Sequence, residues 1–559
     1  METLILFSAV GLFFVFLFIR EAIQAKKREK AFFLSLYDIS KKVPQKEYSS
    51  ERYERMGSFY ERHRSPGQVD DITWNDLNMD EIFKRMNYTF SASGEEYLYY
   101  TLRNTQTTEN ELEHLEKVIL FFKEHSEERV KLQYQMNRLG HTGKFSLYDY
   151  LENLDCLGER SNLKNICLDF LFLPFIFLLL WNLPLAVTGL AVLMVYNIVT
   201  YFKEKNEIDP YIISFAYVNR LMSTCEEVLK LSVPVCTVEW KNMKAHMKQL
   251  DGLKKGSFWV FYNSQGMSGG NPLDIIMDYV RMVFHIDLIQ FNRMLSQLRM
   301  HIQDVDALIE LVGYLETAVA IGIFRESMGQ VCVPKFDAKD LRIDDGYHPL
   351  LTNPVVNSIY ANRGVLITGS NASGKSTFLK TVAINAILAQ TIHTCCARAY
   401  KAPFYEIYSS MALHDNIENG ESYYIVEIKA LKRILDAAKE KKKRVLCFVD
   451  EVLRGTNTVE RIAASTQILM SLSDSEDILC FAATHDIELT DLLKKGYDNY
   501  HFEEDIIDGD IRFPYKLMTG AATTRNAIKL LEIMGYDSEV IERAFRQAER
   551  FTIFGSWSV

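Results

Sequence analysis

The chain has 559 residues, 48% of them hydrophobic, with a formal net charge of −10 and nine cysteines. That length suggests several domains and leaves no difficulty in burying a core. The acidic balance excludes bulk attraction to nucleic acid, so any such contact needs a local basic patch. The cysteines lack a C-x-x-C, and adjacent Cys395 and Cys396 are not at a metal spacing; they read as reduced, mostly packed thiols in a cytosolic environment.

Leu4 to Ile19 is almost wholly apolar and gives about 24 Å of helix against a bilayer core of ~30 Å. Arg20, Lys26, Lys27, Arg28 and Lys30 follow, and no basic residue precedes. The positive-inside rule then puts the N-terminus outside and the chain from Arg20 in the cytoplasm. A cleaved signal peptide would want basic residues first and a small-x-small site afterwards. Residues 1–30 therefore read as an uncleaved transmembrane anchor with a basic flank, and 31–165 as the first part of a helical core.

A second apolar block runs from Ile166 to Phe202, as two runs divided by Asn182-Leu183-Pro184. Asn-x-Pro suits a turn, and Trp181 and Tyr201 suit interfaces. Arg160 and Lys164 precede the block, and Lys203 and Lys205 follow it, as expected if both ends face the cytoplasm. Residues 166–202 read as a transmembrane or re-entrant hairpin. The alternative is a buried helical hairpin of a soluble core, because the first run is short and contains Asp169 and Pro174.

Residues 203–335 read as a second helical part. Asn271-Pro272 opens a pattern with no Gly or Pro until Gly313. Ile276, Val283, Leu288, Leu295, Leu298, Ile302, Val305 and Leu308 recur at helical steps. One straight helix of that length would span about 60 Å. Lys241, Lys244, Lys248 and Lys255 can form a basic face that could touch DNA phosphates, though such a face is more often a solvated helix surface.

Gly369-Ser370-Asn371-Ala372-Ser373-Gly374-Lys375-Ser376 has the spacing G-x-x-x-x-G-K-[ST]. A buried strand, Val365 to Thr368, precedes it, and a helical apolar pattern through Phe378, Leu379, Val382, Ile384 and Ile387 follows. This is the context of a P-loop. Glycines let backbone N–H groups turn towards phosphate oxygens, and the helix N-terminus adds partial positive charge. Lys375 can reach the β- and γ-phosphates of ATP, and Ser376 can hold Mg²⁺. Val445 to Val449 reads as a second buried strand, ending in Asp450-Glu451. Asp450 can hold Mg²⁺ with Ser376, and Glu451 is placed to orient or deprotonate the attacking water.

Further motifs resemble the MutS family. Gly346-Tyr347-His348-Pro349 is similar to its Gly-Arg-His-Pro, and Gly369, Asn371, Gly374, Lys375, Ser376 and Thr377 match its P-loop. Gly420, Ser422, Val426 and Glu427 align with its signature loop, Glu421 replacing an Arg. Arg454 to Thr458 resembles its interface segment, with Leu453 for a Gly. Ala483-Thr484-His485 followed by Glu488-Leu489 resembles its Ala-Thr-His-x-x-Glu-Leu. Tyr515 to Gly520 and Gly535 to Ala544 resemble the family's last strand and helix, and the longer C-terminal dimerisation extension of many members is expected to be absent. Asp70 to Arg103 resembles the opening of the family's helical core, so the likeness covers roughly 70–160 and 205–550.

The resemblance implies an α/β P-loop ATPase domain (ABC-type, mixed sheet with helices) over 336–559, preceded by an all-α lever/core domain. N-terminal and internal membrane helices are added to it. It implies a homodimer in which Ser422 reaches the partner's nucleotide, His485 senses the γ-phosphate, and Gly369 to Thr377 bind ATP. It also implies mismatched or branched DNA as partner. Arg55-Met56-Gly57-Ser58-Phe59-Tyr60-Glu61 resembles the family's mismatch-reading motif, but no domain's length separates it from the core-like segment, so it reads as coincidence. The resulting expectation is a multi-pass membrane ATPase, its catalytic domain cytoplasmic, coupling hydrolysis to lever movement on DNA. No nuclease motif occurs. The alternatives are a membrane-tethered mechanical ATPase acting on protein partners and a transporter ATPase. A transporter is disfavoured by the small number of apolar segments and the lack of Leu-Ser-Gly-Gly-Gln.

Overall fold

Apolar runs bracketing the glycine loop form strands buried along their length: Gly364–Gly369, Arg444–Asp450 and Ile478–Ala483. Parallel strands covered on both faces need such continuous apolarity. The computed structural model describes residues 2–106, 108–143, 146–254, 260, 272–370, 373–411, 423–439, 443–453, 456–507, 510–522, 528, 531 and 535–554. The chain divides into two compact units that interleave along the sequence. One is Met1–Arg64, Asn87–Tyr100 and Lys117–Phe324; the other is Ser65–Met86, Thr101–Glu116 and Arg325–Val559.

The second unit is α/β. Its strands are β1 (Leu341–Gly346), β2 (Asn357–Ala361), β3 (Gly364–Gly369), β4 (Ala399–Lys401), β5 (Tyr405–Ser410), β6 (Arg444–Asp450), β7 (Ile478–Ala483), β8 (Tyr497–Phe502), β9 (Asp505–Ile507), β10 (Asp510–Arg512) and β11 (Met518–Thr519). The main sheet has the order β11-β8-β3-β7-β6-β5. Only β11 runs antiparallel to its neighbour, so the sheet is mixed. A smaller antiparallel sheet has the order β2-β1-β4, and β9 pairs with β10. The helix Lys375–Ile392 is buried through nearly all of its length. Val445, Val449, Leu469, Leu472 and Tyr497 share a core with Leu366.

Two segments that the sequence reading assigned to the helical part sit in this α/β unit instead. The short helix Asp71–Asp76 packs on β5. Its Asp76 carboxylate accepts hydrogen bonds from Ser409 Oγ (2.7 Å) and the Met411 amide (2.9 Å). Thr73 Oγ1 accepts from the Ser409 amide at 3.1 Å, and Asp70 pairs with Arg433 at 2.8 Å. Glu116 meets Arg325 in a two-pronged pair, 2.7 Å on each side. His393, which closes the Lys375–Ile392 helix in a left-handed conformation (φ 51°), approaches the same carboxylate at 3.1 Å.

Among its described residues the first unit is all helical. The expected single helix beyond Asn271 is three: Pro272–Phe284, Ile286–Met300 and Ile302–Ser327. Histidines make the breaks, which is why no Gly or Pro signalled them. His285 is left-handed (φ 47°) and fully buried, with Nε2 3.1 Å from Thr200 Oγ1 and Nδ1 3.4 Å from Asp169. These ring contacts hold a backbone shape that a bulky residue rarely adopts. His301 leaves helical geometry at φ −125° and ψ 27°. The second apolar run of the internal hairpin also continues past Phe202, in one helix from Leu183 to Val228.

Phe59 is 1% exposed; it stacks on His63 at 4.1 Å and meets Tyr97, Tyr100 and Tyr148 edge-on. It is a core aromatic. Glu95 is buried among Arg52, Arg55 and Lys46. Lys241, Lys244 and Lys248 are exposed on the helix Thr237–Gln249, while Lys255 lies outside the described residues.

Burial alone would raise the Glu116 carboxyl, but the hydrogen bonds from Arg325 and His393 outweigh it and hold the group at about 2. A depressed carboxyl stabilises the fold above its unfolded value and loses that contribution as pH falls. The melting temperature should therefore fall less steeply between pH 4.5 and about 2 in Glu116→Gln than in the wild type. The variant should already melt lower at neutral pH. Parallel acid limbs in the two proteins would contradict this.

Candidate functional site

Three parallel strands bring the chemistry to one edge of the sheet. Ile367 of β3 lies opposite Ala483 of β7, and Ala483 opposite Asp450 of β6. The ladder continues past the strand ends: the Thr484 amide donates to Ile367 O at 3.0 Å, and the Glu451 amide to Ala483 O at 2.9 Å. The glycine loop, Asp450-Glu451 and Thr484-His485 are thereby neighbours. In open α/β sheets, ligands bind beyond such carboxyl ends.

Gly369 leaves β3 at φ 146°, and a Cβ there would lie 2.6 Å from Phe502 O. Gly374, at φ 108°, caps the helix that begins with Lys375. The loop curls around its own lysine: Lys375 Nζ donates to Gly369 O (2.9 Å) and Ser370 O (2.8 Å) and lies 3.4 Å from His485 Nε2. His485 Nε2 is in turn 2.7 Å from Glu451 Oε1. Glu451 is left-handed (φ 55°), a strained conformation that re-aims the side chain out of the strand direction. Lys375 and Glu451 thus meet at one imidazole nitrogen, which donates to the carboxylate or accepts from the ammonium but not both at once, and the three side chains form one chain of contacts.

A cleft of about 520 Å³ opens beside this chain, lined among others by His348, Asn353, Ser376, Glu451, Phe502 and Tyr515. Burial pushes His348 down to about 4, which leaves it neutral at neutral pH. Ser373, Gly374, Lys375, Ser376 and Thr377 line the same cleft. Ser373 is 1% exposed and its hydroxyl has no hydrogen-bond partner among the described residues. A buried donor of that kind suits an anionic oxygen. Asp450 ends β6 beside Glu451. Asn371, Ala372 and Ser422 lie outside the described residues, as do Arg454 and Gly455.

Some of the surroundings were not anticipated from sequence. Ser370 Oγ donates to Glu504 at 2.8 Å. The signal was there, since Glu503-Glu504 closes a strand beside the loop strand much as Asp450-Glu451 does. Tyr515 covers Gly374, and nothing in its local sequence sets it apart from a core aromatic. Arg461 holds Asp486, next to His485, through bonds of 2.9 and 2.6 Å. Glu427 accepts from the Leu453 amide just beyond Glu451.

Residues 365–552 match the family model for MutS domain V. The chain is 33% identical over 216 residues to a DNA mismatch repair protein MutS of Thermus thermophilus, a match covering 38% of this chain and 26% of that protein. It is 34% identical over 182 residues to the DNA mismatch repair protein MutS 2 of Haloarcula marismortui (32% of this chain, 19% of the relative). It is 29% identical over 269 residues to a MutS of Streptococcus suis (46% and 31%). The matches thus span less than a third of the length of these relatives.

Substituting Gly369→Ala adds backbone strain of about 1–3 kcal/mol and a contact with Phe502 that the loop must move to relieve. Binding of a fluorescent ATP analogue should weaken about tenfold, equivalent to about 1.4 kcal/mol, with the circular dichroism spectrum unchanged. Unaltered affinity would mean that the loop does not need this conformation to bind.

Proposed function

We propose that the chain, whose C-terminal part matches the ATPase-type domain of the MutS family, is a membrane-anchored, dimeric P-loop ATPase of ABC type that couples ATP hydrolysis to movement of its helical part on DNA. The observation carrying this reading is the connected chain Lys375–His485–Glu451 at the ends of β3, β7 and β6.

Each residue has a definite task in it. The loop from Gly369 to Thr377 cradles the phosphates, and Ser373 offers its unpartnered hydroxyl to them. Lys375 exchanges the loop carbonyls it now holds for phosphate oxygens. Ser376 and Asp450 are an oxygen-donor pair suited to Mg²⁺. When bound, Mg²⁺ would neutralise charge on the phosphates. Glu451 orients water and takes its proton. His485 Nε2 faces both Glu451 and Lys375 and can serve only one of them at a time, so a phosphate that draws Lys375 away leaves that nitrogen to Glu451. That linkage supports His485 as the γ-phosphate sensor. Ser422 is assigned to the partner's nucleotide by the family resemblance.

DNA binding is proposed from the relatives named as DNA mismatch repair proteins, and the exposed Lys241, Lys244 and Lys248 support it. The burial of Phe59 argues against mismatch reading by that residue. Membrane anchoring rests on the apolar Leu4–Ile19 and Ile166–Phe202 stretches, with the ATPase domain cytoplasmic.

Glu451→Gln should lower kcat by about two orders of magnitude or more while leaving ATP-analogue affinity nearly unchanged. Lys375→Ala should abolish that affinity. Normal turnover by Glu451→Gln would remove Glu451 from the mechanism. ATPase assays of the full chain with duplex, mismatched and branched DNA across a salt series test the nucleic-acid part. Binding should weaken steeply with salt. No binding at low salt would transfer the reading to an ATPase that moves protein partners.

A further inference from the structure

The helix Leu183–Val228 has two halves of opposite character. Between Leu183 and Phe202 most side chains are exposed apolar groups, among them Val192 (65%), Val195 (62%) and Val199 (63%). From Ile208 to Val228 the same helix supplies buried residues to the core of its unit, including Phe215, Tyr217, Leu221 and Cys225. No loop separates the halves, and Pro210 lies inside the helix.

The outward half has its own packing partner. Phe172–Leu178 lies against it, and Gly189 admits the Phe175 ring, which a Cβ would approach to 2.2 Å. Small residues permit such close helix contacts in apolar surroundings. Ala186, Leu193, Asn197 and Tyr201 form the buried seam. At the turn, Leu180 and Trp181 are 80% and 87% exposed. Asp169 is the only charged residue from Asn165 to Phe202, and it faces His285 within the unit. The Asn197 amide donates to Val283 O at 2.8 Å. Both polar side chains thus turn inward, leaving the outer surface largely apolar.

An exposed apolar surface this continuous needs a partner, and its dimensions identify one. Leu183 to Phe202 rises about 30 Å, the thickness of a bilayer's hydrocarbon core. At the base, Lys164 pairs with Glu204 (2.8 Å), Lys205 with Asp287 (2.9 Å), and Arg160 with Glu207. These three cations are already paired, which weakens the attraction to anionic headgroups, and acyl chains supply most of the contact. The equally apolar Ile302–Ser327 is a useful contrast. Its apolar stretch is 72% buried against 17% for Leu183–Val228, so it is a core helix and needs no outside partner.

We propose that the Leu163–Phe202 hairpin is embedded in the acyl-chain region of a lipid bilayer as a rigid extension of the helical unit. The long helix makes it a strut, so the membrane fixes the direction in which that unit points. This deepens the anchoring part of the proposed function and is independent of the ATPase part.

The full chain, reconstituted into neutral phosphatidylcholine vesicles, provides the test. A membrane-impermeant maleimide should label Val195→Cys at least about tenfold more slowly than Cys156, because acyl chains exclude a charged reagent. The ratio should persist at high salt. Equal labelling, or protection only with anionic lipid at low salt, overturns the proposal. Should Val195→Cys fail to fold, Cys167, exposed on the first leg, reports the same protection in the native chain. Spin labels at Val199 and Ser223 should give one narrow distance near 36 Å, about 1.5 Å per residue; a broad distribution overturns the strut. ATP turnover in the same vesicles separates the two readings. Protection without turnover refutes the ATPase alone, and turnover without protection refutes the hairpin alone.

Discussion

The alignment of β3, β7 and β6 governs the chemistry of this protein. Parallel strands in register can end level, and here two further backbone hydrogen bonds, Thr484 to Ile367 and Glu451 to Ala483, extend the ladder by one step. Those bonds convert three distant sequence segments into one edge. A shift of one residue in β6 would turn Glu451 to the other face of the sheet. The apolar filling of the strands is therefore a positional device as much as a stabilising one. Cys447 and Phe448 of β6 pair with Cys480 and Phe481 of β7, and each pair is buried.

At that edge the charges satisfy one another. Lys375 is held by two carbonyls of its own loop, and Glu451 has His485. Such an arrangement keeps a buried cation and a strained acid compact without an external counter-ion. It also makes the loop responsive, because anything that competes for the lysine competes with the loop's own closure. The Ser370–Glu504 contact acts in the same direction, tying the first turn of the loop to the end of β8.

The glycine loop and its strands were legible because their constraints are local. A loop needing φ of 146° and 108° at Gly369 and Gly374 writes glycine into the sequence, and strands buried on both faces write apolar runs. Other features left no local trace. Glu451 takes a left-handed conformation that a glutamate does not advertise. His285 breaks a helix through tertiary hydrogen bonds to Thr200 and Asp169, where periodicity alone predicts continuation. The hairpin reads as ending at Phe202 because the apolar run stops there and Lys203 and Lys205 follow. The helix nevertheless continues to Val228, with Lys205 paired to Asp287 along it. Phe59 was read as no part of a mismatch reader on spacing alone, and its burial among Tyr97, Tyr100 and Tyr148 gives that judgement a packing basis.

The interleaving of the two units has a consequence for how the protein is made. Asp76 emerges from the ribosome 333 residues before Ser409, the hydroxyl it holds. At ordinary elongation rates that is a wait of roughly tens of seconds. Throughout it the Asp71–Asp76 segment has no β5 to pack on, and most of the helical unit, Asn87–Tyr100 and Lys117–Phe324, is synthesised in the meantime. The α/β unit can close only after translation has passed through the other unit, so its first piece is a strand-edge cap made long before its strand.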